Sequence, residues 1–156
     1  MPVRGRIEIE AGTEAAYLVV SDPPSMARFA EEAVAARWSG GVGEAVVGAT
    51  FRGYNRNGIR RWATTCRVTD ADGRRFGYEV YGPLGIPISR WQYDVEPGRS
   101  PGSCVVTETS WIKVPLWFAP LAVPITGVVD RAASNRSHID ATLERLKTHL
   151  EHGNAR

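Results

Sequence analysis

Residues 128–150 read VVDRAASNRSHIDATLERLKTHL. Within this stretch Val128, Ala132, Asn135, Ile139, Leu143, Leu146 and Leu150 recur at spacings of three and four, which puts all seven on one helical face. The first half of the stripe is small or polar; the second half is large and apolar. A curved sheet gripping such a helix packs tightly against the leucines and leaves a void beside Ala132 and Asn135. The stretch predicts a closing helix, from roughly Gly127 to Leu150, laid over an internal pocket. Thr126 offers a cap for it, and Asp130 in its first turn suits the helix dipole. Lys147, His149 and His152 followed by Gly153 make an ordinary C-terminal ending.

Upstream of the helix, Val114 to Ile125 reads VPLWFAPLAVPI. Its three prolines argue against a continuous helix or a central strand, so it is expected to be an apolar loop. With Trp117 and Phe118 at its centre it reads as a lid or mouth for the pocket, with ordinary packing over the helix as the competing reading.

The rest of the chain is dominated by strand patterns. Val3 to Glu10 alternates as a first strand, and Thr13 can cap a short helix that ends at Ser21-Asp22-Pro23-Pro24. A second short helix starts at Pro24 or Ser25 and runs through Met26 and Phe29. Ala33 to Trp38 is a strand weakened by its alanines, and Gly40 to Gly43 is a loop. Asn57-Gly58 then separates Thr50–Arg56 from Ile59–Thr69 as a two-residue hairpin. Asp70 to Gly73 turns into a strand over Arg75–Tyr81, a Gly-Pro-rich loop leads to Ile88–Glu96, and Pro97 to Gly102 turns into Ser103–Lys113.

Alternation along these strands places Trp62, Thr64, Cys66 and Val68 on one face, with Phe76, Tyr78 and Val80, then Trp91, Tyr93 and Val95. Aromatics mixed with hydroxyl groups on one face fit a small-molecule wall better than a plain core, which would use more Val, Ile and Leu. Phe51 and Asn55 share a face and extend the wall. Asn135 is the pointed residue of the closing helix, since a buried amide needs a partner: a strand side chain, a ligand or a trapped water. The ligand-binding candidates are therefore Phe51, Asn55, Trp62, Thr64, Phe76, Tyr78, Trp91, Tyr93, Trp117, Phe118, Ala132 and Asn135.

Composition narrows the function classes. A chain of 156 residues suits one domain, with its core over residues 3–152. Its net charge of +2 is mild and its basic residues are scattered, which does not fit a nucleic-acid footprint. Arg60-Arg61 and Arg74-Arg75 adjoin hairpin turns and read as solvated strand ends. Cys66 and Cys104 stand alone, with neither CxxC spacing nor clustered His, so no metal site is expected and a reducing cytoplasmic setting is. No signal peptide is apparent, and no stretch reaches the 18 or so apolar residues that span a bilayer. No Gly-x-Ser-x-Gly elbow is present, and Gly41 and Gly43 lack a third glycine and the strand-to-helix setting of a dinucleotide site, so no cofactor is expected.

The order of elements and the residues at their joints resemble the START/SRPBCC superfamily, in its bacterial polyketide cyclase/dehydrase-like branch. The resemblance is carried by Ala11, Glu14, Tyr17, Ser21-Asp22-Pro23 and Met26, then by Gly48-Ala49-Thr50-Phe51-Arg52-Gly53, Asn55-Arg56, Gly58 and Trp62. It continues through Gly73-Arg74-Arg75-Phe76, Trp91 to Pro97, Val106-Thr107-Glu108 and Thr142 to Lys147. Phe29-Ala30-Glu31 departs from the Trp-Ser-Pro the family commonly has there. The resemblance implies an α+β helix-grip fold (START-like, Bet v 1-like), β-α-α-β6-α, in which about seven antiparallel strands wrap the C-terminal helix over a hydrophobic cavity. It implies lipid carriers, ligand sensors and cyclases alike, so it does not fix one reaction.

Three readings follow: a binder of a hydrophobic small molecule such as a polyketide, lipid or polycyclic compound; a cofactor-independent cyclase/aromatase or dehydratase; and a protein- or membrane-interaction module working through the 114–125 loop. For the enzyme, Glu108, Tyr78, Tyr93 and His138 are the proton-handling candidates. Glu108 faces inward if Val106 does, although Val105, Thr107, Thr109 and Trp111 make an equally good inner face. An inward carboxylate in an apolar cavity would have a raised pKa.

Overall fold

The computed structural model describes residues 2–30, 33–40, 43–128 and 130–154. Glu31 and the Gly41-Val42 part of the expected glycine loop lie outside them. Seven antiparallel strands form one sheet in the order β1-β7-β6-β5-β4-β3-β2. They are β1 (Val3–Ile9), β2 (Ala33–Trp38), β3 (Thr50–Asn57), β4 (Arg60–Ala71), β5 (Arg75–Tyr81), β6 (Pro87–Pro97) and β7 (Cys104–Ile112). Helices α1 (Thr13–Val20) and α2 (Pro23–Met26) join β1 to β2, and α3 (Ala119–Thr126) and α4 (Arg131–Asn154) follow β7.

The β3–β4 hairpin forms where Asn57-Gly58 predicts it, with Gly58 at φ 63°, the left-handed backbone that such a turn needs. Even the alanine-rich Ala33–Trp38 becomes a strand. Pairing with β3 along one sheet edge overrides its weak intrinsic preference.

Three local expectations are corrected. Thr13 is the first helical residue of α1 and Gly12 precedes it as N-cap, without a side-chain cap bond. Thr126 ends α3 and does not cap the closing helix. Asp130 does so, its Oδ1 accepting from the Ala133 amide at 3.0 Å. The 114–125 segment is not irregular throughout, because α3 occupies most of it. Pro120 sits in the first turn of α3, where a missing N–H costs nothing, and Pro124 lies inside the helix. The hairpin supports the far end of α3 from outside: Arg60 Nε donates to the Pro124 carbonyl at 3.3 Å and Asn57 Nδ2 to the Thr126 carbonyl at 2.8 Å.

The closing helix lies over the inner face of the sheet, along β1 and beside β7. Ile139, Leu143, Leu146 and Leu150 are buried there among Val3, Ile9 and Val106. Polar contacts pin the same edge: Lys147 Nζ donates to the Glu8 carbonyl at 3.0 Å, and Glu151 Oε2 accepts from the Glu10 amide at 2.9 Å. The approach is closest at Gly5, where a Cβ would stand 2.5 Å from Ile139 Cγ2 and 3.3 Å from Leu143 Cδ1. Gly5→Ala is therefore expected to destabilise the protein by about 1–3 kcal/mol through overpacking. Gly43→Ala, at a position with open space around it, should stay within about 0.5 kcal/mol of wild type. Urea melts of both variants check this, and equal midpoints would mean that α4 does not press on β1.

Candidate functional site

Between α4, α3 and the inner face of β3–β7 lies a cavity of about 400 Å³, within the size range of small-molecule sites. Its floor is built by cross-strand pairing. Asn55 faces Trp62, Phe51 faces Cys66, Phe76 faces Tyr93, and Tyr78 faces Trp91. Each strand thereby sends alternate residues into the cavity, and the rings interlock. Phe51 and Tyr78 meet edge-on at 5.1 Å between centroids, and Phe76 and Tyr78 lie 5.7 Å apart. Gly53, opposite Thr64, keeps the wall thin there, since a Cβ would come within 3.1 Å of the Thr64 hydroxyl.

Ten of the twelve expected ligand-contact residues line this cavity: Phe51, Asn55, Trp62, Thr64, Phe76, Tyr78, Trp91, Tyr93, Phe118 and Asn135. Two do not. Trp117 is 68% exposed and lies outside the wall, because the turn closed by the Phe118 and Ala119 amides on the Pro115 carbonyl points Phe118 inward and Trp117 outward. Ala132 is exposed. It shares the β1-facing stripe with Ile139, but Ile139 already sits over Gly5, and Ala132 lies about 10 Å further back along the helix, past the start of β1 at Val3. Among the described residues of β1 nothing is left to cover it.

The helix face that does line the cavity is Arg131, Asn135, His138 and Thr142. These residues are also spaced by fours and threes, so α4 carries two adjacent stripes, one for the core and one for the cavity. Arg131 and Thr142 escaped the sequence reading because the apolar stripe beside them gives the stronger periodic signal. Asn135 Nδ2 donates to Ser110 Oγ at 3.1 Å, so a strand residue satisfies that part of the buried amide. His138 Nε2 lies 3.5 Å from Ser134 Oγ.

Glu108 resolves the two-faced reading of β7: with Val106 and Ser110 it points inward. It is 3% exposed and pairs across strands with Tyr93, whose hydroxyl donates to Glu108 Oε1 at 2.9 Å. Its other oxygen, Oε2, is buried without a partner. On the far side of Glu108 its register partner is Gly5, which has no side chain to offer it. Burial therefore pushes the Glu108 carboxyl up to about 8, with Asp140 adding to the rise and the Tyr93 hydrogen bond opposing it. Burial also raises both phenols, Tyr78 and Tyr93, well above the usual tyrosine range, and the neighbouring Glu108 adds to both. The Cys66 thiol is pushed up to about 12 by burial, against a hydrogen bond with Thr64, which disfavours its reactive thiolate. At neutral pH the wall thus presents a neutral acid, two neutral phenols and a neutral thiol.

A family model described as polyketide cyclase / dehydrase and lipid transport matches residues 2–151. The chain belongs to this family. The fold of this polyketide cyclase/dehydrase-family protein is shared by solved structures of low sequence identity. One is the di-domain ARO/CYC protein StfQ of the steffimycin biosynthetic pathway, at TM-score 0.73 and 12% identity over 99% of this chain and 52% of that one. Another is the Aha1 dimer from Colwellia psychrerythraea, at TM-score 0.65 and 18% identity over 97% and 96% of the two chains. A third is DR_A0006 from Deinococcus radiodurans, at TM-score 0.67 and 14% identity over 98% and 99%. No curated protein matches the chain in sequence. Among the described residues no cluster of metal-ligating side chains forms, and no helix is long and apolar enough to cross a membrane.

The buried acid makes stability depend on pH with a definite sign. Its folded pKa of about 8 lies above its ordinary 4.5, so the folded protein keeps a proton that the unfolded chain releases, and stability falls as pH rises between those values. Glu108→Gln removes this loss. The variant should match wild type near pH 4.5 and exceed it at pH 8 by on the order of 3 kcal/mol. Urea melts at the two pH values check this, and a stability difference that does not change with pH would place Glu108 in contact with water.

Proposed function

We propose that this protein binds a hydrophobic small molecule, such as a polyketide, lipid or polycyclic compound, in the cavity between the sheet and α4. The observation that carries the reading is a cavity of about 400 Å³ with a mainly apolar, aromatic wall. Burying apolar ligand surface there is worth roughly 25 cal/mol per Å² before the cost of immobilising the ligand. Phe51, Trp62, Phe76, Tyr78 and Trp91 form the aromatic floor for the ligand, and α3 with Phe118 forms a roof. The family description, which joins cyclase/dehydrase activity with lipid transport, supports the same reading. Cys66 and Cys104 are free thiols, which fits action in the reducing cytoplasm.

A second reading, cofactor-independent cyclisation, is favoured by one observation: the buried Glu108 carboxyl, hydrogen-bonded to Tyr93 and pushed up to about 8 by burial, sits on a mainly apolar wall. Such an acid can protonate a developing alkoxide while the cavity holds a reactive chain folded. Conversion of a linear polyketone to a cyclised aromatic, detected by mass spectrometry and lost in Glu108→Gln, would establish it. Formation of the same product at the same rate in the variant would eliminate it.

The binding reading is tested from the helix side. Thr142 is 4% exposed and lines the cavity, so Thr142→Phe should fill ligand space. Filling a real void is expected to change stability by less than about 1.5 kcal/mol, while affinity for the apolar fluorophore N-phenyl-1-naphthylamine falls about tenfold or more. Unchanged fluorophore affinity in a folded Thr142→Phe protein would move the binding site elsewhere.

A further inference from the structure

Among the described residues two buried side-chain polar atoms have no hydrogen-bond partner, Trp38 Nε1 and Glu108 Oε2. Of the two residues, only Glu108 lines the cavity. Two other polar side chains on the wall are engaged: Trp91 Nε1 donates to Ser89 at 3.1 Å and Asn135 Nδ2 to Ser110 at 3.1 Å. The orientation of the carboxyl is set by its neighbour. Because the Tyr93 hydroxyl donates to Oε1, a proton on the neutral acid belongs on Oε2, the atom left free. A buried donor with no acceptor is costly, and the cost is removed by whatever brings an acceptor to it.

We infer that the Glu108 carboxyl donates from Oε2 to the ligand and so selects an apolar molecule bearing a ketone oxygen over the corresponding hydrocarbon. This rests on the cavity being the binding site. The surroundings of Glu108 fit a donor better than an anion. Tyr93 faces it from β6 and Tyr78 from β5, Gly5 of β1 offers no side chain, and Asp140 of α4 contributes negative charge. His138 and Arg131 of α4 and Cys66 of β4 line the same cavity. An aromatic floor beside this buried acid suits a flat, ring-containing ketone, whose oxygen reaches the acid while its rings stack over Tyr78 and Trp91.

The matched pair 9-fluorenone and fluorene, which differ only at the carbonyl, tests this by displacement of N-phenyl-1-naphthylamine from the full-length protein. Wild type at pH 6.5 should bind fluorenone about tenfold or more tightly than fluorene. The preference should fade as pH rises past about 8, where the carboxyl loses the proton it donates. Glu108→Leu should bind both compounds equally. Glu108→Gln, with its amide nitrogen in place of Oε2, should keep the preference and lose its pH dependence. If wild type binds both compounds with equal affinity, or Glu108→Leu keeps the preference, the ketone inference is wrong and the cavity reading stands. If neither compound nor the fluorophore binds, the cavity reading falls and the inference with it. Should Glu108→Leu fail to fold by circular dichroism, the pH series of wild type and Glu108→Gln decides alone.

Discussion

The architecture of the site depends on one close contact, α4 lying on β1 at Gly5. A helix can rotate about its axis on a sheet, and small rotations decide which side chains face the interior. Here Ile139 and Leu143 press into the space that a side chain at position 5 would fill. Lys147 and Glu151 hold the same edge to the backbone at Glu8 and Glu10. That rotation turns Arg131, Asn135, His138 and Thr142 towards the cavity. The same glycine leaves Glu108 without a neighbouring side chain on the β1 side. One small residue thus sets both the helix rotation and the dry environment of the acid.

The opposite face of the sheet is held by polar contacts. Arg90 donates to Asp70 at 2.7 Å and to Gln92 at 3.0 Å, Gln92 donates to Asp94 at 2.8 Å, and Asp94 accepts from Arg75 at 2.7 Å. This ladder crosses β4, β5 and β6. It passes over Gly77, where a Cβ would come within 2.9 Å of both Arg90 and Asp70. Arg90 also lies over the Trp111 ring at 5.7 Å. Each contact is modest because the groups are part-exposed. Their joint effect is to link β4 to β6 from outside while the inside of those strands borders a void.

A cavity removes packing contacts that a solid core would supply, so the chain must find its stability elsewhere. It does so by segregation. The leucine half of α4 packs on β1 and β7 in the core that holds Val3, Ile9 and Val106. The other half borders the void. Glu108 on that wall is a carboxyl whose pKa burial raises and whose Oε2 has no partner, and such local conflicts concentrate where a protein does chemistry or binds.

Strand positions, the Asn57-Gly58 hairpin and the aromatic inner face were legible in the sequence, because alternation and turn chemistry act over a few residues. The apolar half of the closing helix was legible for the same reason: Ile139, Leu143, Leu146 and Leu150 repeat with the period of a helix. What the sequence left open depended on contacts between distant segments. Asn135 stands between two stripes of α4, and only the seating of Ile139 on Gly5 shows that the cavity stripe runs through Arg131 and Thr142 and leaves Ala132 in solvent. Glu108 sat on a strand with two plausible inner faces, and pairing with Tyr93 across β6 and β7 selected one. Three prolines concealed α3, a helix held at its far end by Asn57 and Arg60 of the hairpin. Local periodicity determined which elements form. Their rotation, and with it the identity of the cavity wall, was decided by the close packing of residues far apart in the chain.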